Sequence, residues 1–166
     1  REGAGLLEAP AEANARGLRE VGCIPNAGPG YAETPTGRDA AGIRAGLEAD
    51  ELTAAILLDV DPVRDYPDAE GWRKALGAAD FVVAFSAWRC WAPEYAHVIL
   101  PIAPSAETAG TFVNMEGRVQ SFHAVVKPRD EARPGWKVLR MLGDMLHLPG
   151  FEAETIEAVR ASIAPD

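Results

Sequence analysis

Two apolar runs separated by one amphipathic helix constrain this chain most. "TAAILLDV" (Thr53–Val60) and "DFVVAFS" (Asp80–Ser86) are continuous apolar stretches bounded by charged residues. Runs of that length suit strands buried on both faces, as in a parallel sheet. Between them Asp68 is placed to cap a helix over residues 69–78, with Trp72 and Leu76 one turn apart on its inner face. Strand, helix, strand is a βαβ unit, and its crossover is expected to be right-handed. "HVILP" (His97–Pro101) reads as a third parallel strand, stopped by a proline that donates no ladder hydrogen bond. The breaker-rich "DPVRDYPD" reads as a loop, and residues 87–96 as a short helix or turn.

The flanking segments follow the same logic. Residues 8–21 suit a short helix capped by Gly22, and residues 23–37 are a loop rich in proline and glycine. Asp39 can cap a helix carrying Ile43 and Leu47. "GTFVNMEGRVQ", within residues 110–126, reads as a β-hairpin turning at Gly117. Beyond it, Trp136, Leu139, Leu142, Met145 and Leu146 form a helical stripe stopped by Pro149-Gly150, and Ile156, Val159 and Ile163 align on a last helix. The expected fold is α/β: a small, mainly parallel, doubly wound sheet flanked by helices, plus a β-hairpin and C-terminal helices. Its expected parts are a helix and loop lead-in (1–50), an α/β core with the hairpin (51–128) and C-terminal helices (129–166).

Composition narrows the function classes. With 48% hydrophobic residues the chain can bury a core, and with a net charge of −9 it repels phosphate backbones, so nucleic acid is a disfavoured partner. No apolar run approaches the roughly 20 residues of a membrane span. Cys23 and Cys90 form no CxxC pair, which points to free thiols in a reducing compartment. The chain starts at Arg1 and its first strand-like run comes only at Thr53, so a piece of a longer polypeptide is expected.

Most candidate chemistry has a plainer reading. His97, His123 and His147 show no metal-ligand spacing, so no metal site is expected, and His97 should be satisfied by backbone. Ser105 and Ser121 stand on no GxSxG elbow, so no catalytic residue is expected. "GPG" at residues 28–30 fails the GxGxxG spacing because Glu33 stands at the third glycine position. Asp59 and Asp61 flank the C-terminal end of the first strand, where open parallel sheets bind ligands; a plain Asp-Pro turn explains them as well. Trp88, Cys90 and Trp91 either grip a partner chain or seal the core.

The order of these motifs resembles one superfamily. "DVDP", "DFVVAFS", "AHVILPIAPSAETAGTFVNMEGRVQ" and "RPGWKVLRMLGDML" look like the molybdopterin oxidoreductases. Together with "ANARGLREVGCIPNAGPG", they look most like the large iron–sulfur (G) subunit of bacterial NADH:quinone oxidoreductase, respiratory complex I, over residues 7–151. That resemblance implies a noncatalytic structural segment supporting NADH-to-quinone electron transfer, without a cofactor of its own. Iron–sulfur clusters are expected in an N-terminal part of the parent. The implied partners are other peripheral-arm subunits, on the cytoplasmic side of the inner membrane. The rival implication is a pterin-binding segment of an active formate dehydrogenase or nitrate reductase type of enzyme, with Gly110, Thr111, Asn114, Glu116 and Arg118 lining the pterin. Asp61-Pro62 stands where active relatives tend to have Asn-Pro, which adds negative charge beside a phosphate-bearing ligand. A nucleotide-binding module using Asp59 and Asp61 is a third option. An isolated piece is expected to expose apolar surface, and hence to dimerise or be marginally stable.

Overall fold

The computed structural model describes residues 13–89 and 92–163. Cys90 and Trp91, and the first part of the helix expected over 8–21, lie outside the described residues. The chain divides into two compact units. The larger comprises residues 38–108 and 124–153, and the smaller contains residues 109–123 with segments from both ends of the chain.

The larger unit is built on a parallel sheet of order β1-β2-β3: β1 (Ala54–Leu58), β2 (Phe81–Ser86) and β3 (Val98–Pro101). The register runs from Ala54↔Phe81 to Leu58↔Phe85, and from Val83↔Val98 to Ser86↔Pro101. Pro101 ends an edge strand, where its missing N–H costs no ladder bond. Two helices cover one face of this sheet, α2 (Ala40–Glu48) and α4 (Ala69–Ala78). Leu47, Leu57, Trp72, Ala75, Leu76, Val82 and Ala84 form the core between them.

Both covering helices start on the expected aspartates. Asp39 accepts from Gly42 N–H at 2.8 Å, and Asp68 from Gly71 N–H at 3.0 Å. Asp68 also pairs with Arg44 of α2, tying the helices at their solvent side. The Gly71 amide, then Arg44, holds the Asp68 carboxyl below its ordinary 3.8. A lowered folded-state value stabilises the fold above the unfolded value, and the effect is lost as pH falls through the folded one. We therefore expect Asp68→Ala to lower Tm at pH 7, with the gap to wild type closing as pH drops below about 4. A pH-independent gap in thermal melts would contradict this.

The other sheet face departs from expectation. Side chains alternate along β1, so Leu57 is buried while Ile56 is 61% and Leu58 47% exposed. Phe81 and Val98 on the same face are also exposed. The apolar run predicted burial on both faces. Here the start of the helix α5 (Gly135–Met145) meets this face, where Gly135 sits against Leu58 and Ile102. The α5 stripe is half realised too: Trp136, Leu139 and Leu142 are partly buried, whereas Met145 and Leu146 are exposed. His147 follows the helix in the left-handed region, beyond its last turn.

In the smaller unit β4 (Gly110–Val113) and β5 (Val119–Phe122) form an antiparallel hairpin. Phe112 and Phe122 meet edge to face at 5.2 Å. Helix α1 (Ala15–Glu20) docks on it through Asn14, whose Oδ1 accepts from Val113 N–H at 2.8 Å. Helix α6 (Ile156–Ile163) reaches it through Arg160, which donates to Ser121 Oγ at 2.8 Å. The parallel sheet, the hairpin and the C-terminal helices all stand as expected.

Candidate functional site

At the C-terminal ends of β1 and β2 the chain turns sharply. Asp59 leaves β1 with φ 49°, a left-handed conformation that aspartate tolerates better than most residues. Asp61 then opens a short helix, α3 (Pro62–Asp65), where a loop was expected. The signals were local: Asp61 accepts from Val63 N–H at 3.2 Å, and Pro62 occupies the first turn, where a missing N–H is harmless. Asp65, one turn on, accepts from Asp61 N–H at 2.8 Å.

Asp61 is buried, with 5% exposure. Its Oδ1 also accepts from Tyr95 Oη at 2.9 Å, while Oδ2 has no hydrogen-bond partner among the described residues. Burial, and then the neighbouring Asp61 carboxylate, push the Tyr95 phenol up, so Tyr95 donates at any physiological pH. On β2, Ser86 Oγ accepts from Trp88 N–H at 3.0 Å and donates to its carbonyl at 2.8 Å, fixing the turn that presents Trp88. Trp88 is 65% exposed. Asp59, Asp61, Arg64, Asp65 and Trp88 line an open cleft of about 320 Å³. Three carboxylates thus face one guanidinium. Arg64, Asp65 and Tyr95 were not singled out in the sequence. Asp61 and Asp65 stand at helical spacing, which was readable; the Tyr95 contact spans 34 residues and was not.

The five hairpin residues lie in the smaller unit, and three are engaged by the hairpin itself. Asn114 Oδ1 accepts from Arg118 N–H at 2.8 Å, and its carbonyl accepts from Gly117 N–H at 3.0 Å. Thr111 and Ser121 hydroxyls pair at 3.0 Å. Gly110 lies against the Phe122 ring, with no room for a Cβ. Glu116 and Arg118 are exposed, and among the described residues no ion pair joins them. Gly117 has φ 83° and sits against the Arg16 guanidinium. Gly117→Ala should therefore destabilise by about 1 kcal/mol or more in chemical denaturation; a neutral result would refute the left-handed turn.

His97 behaves as expected: its Nδ1 accepts from Val82 N–H at 3.0 Å. Among the described residues no group of three His, Cys, Asp or Glu is arranged to hold a metal ion. No helix among them is long and apolar enough to cross a membrane.

Residues 27–145 match the model of the molybdopterin oxidoreductases. The chain belongs to the molybdopterin oxidoreductase family. It is 36% identical to the G subunit of the NADH-quinone oxidoreductase of Streptomyces coelicolor, over 87% of this chain and 20% of that protein. It is 30% identical to the alpha subunit of the NADPH-Fe(3+) oxidoreductase of Geobacter sulfurreducens, over 93% of this chain and 21% of that protein. A nitrate reductase of Synechocystis is 31% identical over 92% of this chain and 24% of its own length. The chain thus spans about a fifth to a quarter of these relatives. The fold resembles acetylene hydratase from Pelobacter acetylenicus, with TM-score 0.61 and 20% identity over 76% of this chain and 17% of that one. Relatives therefore include both an NADH-quinone oxidoreductase component and a nitrate reductase, and membership alone assigns no specific role.

The lining of this cleft, three aspartates and one arginine, disfavours a phosphate-bearing ligand. A carboxylate and a phosphate oxygen about 5 Å apart repel by roughly 3 kcal/mol at an effective dielectric of about 20. Asp59, Asp61 and Asp65 together outweigh Arg64.

Proposed function

We propose that this chain is a noncatalytic scaffold segment of a G-type subunit of NADH-quinone oxidoreductase, supporting NADH-to-quinone electron transfer through assembly contacts. The observation that carries this reading is the carboxylate-lined cleft, where a family cofactor would need positive charge. On this reading the segment holds no cofactor, and iron–sulfur clusters belong to other parts of the longer parent. Its partners are further peripheral-arm subunits on the cytoplasmic side of the inner membrane.

The second reading, a pterin-binding segment in an active enzyme, draws on the Synechocystis relative and on the exposed Glu116 and Arg118. The engagement of Gly110, Thr111 and Asn114 within the hairpin weighs against it. The two readings differ in what a hairpin variant does. Glu116→Ala with Arg118→Ala in the full-length parent should leave the electron-transfer rate per assembled complex within about twofold, since both side chains are solvated and make no ion pair with each other. A pterin-binding hairpin would instead lose rate without losing assembly.

A further inference from the structure

We draw no further inference here: the strongest candidate, the exposed apolar face of the parallel sheet carrying Ile56, Leu58, Phe81 and Val98, carries none because nothing in the structure shows what covers it.

Discussion

Trp72→Ala is expected to lower stability by about 3–5 kcal/mol, the range for emptying a large aromatic site in a core. Trp72 is 5% exposed, stacks near Tyr66 at 5.5 Å, and belongs to the cluster with Leu76, Ala75, Val82 and Leu57. A domain of this size has roughly 5–15 kcal/mol in all, so the variant should sit at the edge of folding at room temperature. Urea denaturation followed by far-UV circular dichroism measures it. A loss under about 1 kcal/mol would mean that α4 does not cover the sheet as described.

The second large effect separates the two sheet faces. Val82 has no exposure, whereas Ile56 on the opposite face is 61% exposed. Val82→Lys buries an unpaired ammonium and should unfold the chain, costing about 4 kcal/mol or more. Ile56→Lys should change stability by no more than about 0.5 kcal/mol. The open face carries Ile56, Leu58, Phe81 and Val98, and the isolated chain is expected to self-associate through it. Ile56→Lys should therefore raise the monomer fraction in light scattering coupled to size exclusion. Equal damage from the two lysines would contradict the assigned register.

Much of this fold was legible because its signals are local. Asp39 and Asp68 declared their helices through side-chain caps. Apolar runs declared β1 and β2, and the turn at Gly117 declared the hairpin. What failed to show was tertiary. An apolar run cannot say whether a second layer exists to bury it, so β1 was expected to be covered on both faces. The α3 helix was missed although Asp61, Pro62 and the Asp61/Asp65 spacing were visible, because Pro62 and Pro67 read as breakers. The site was half legible. Asp59 and Asp61 were placed correctly at the strand end, and Trp88 was marked as a residue that grips a partner or seals the core. The hydrogen bond from Tyr95 to the buried Asp61 carboxylate spans 34 residues, a contact no spacing rule reaches.

Elemental and cofactor analysis of the purified full-length parent tests the scaffold account most directly. The expected result is iron and sulfide without stoichiometric molybdenum, tungsten or releasable pterin. One molybdenum or tungsten with pterin per polypeptide would contradict it.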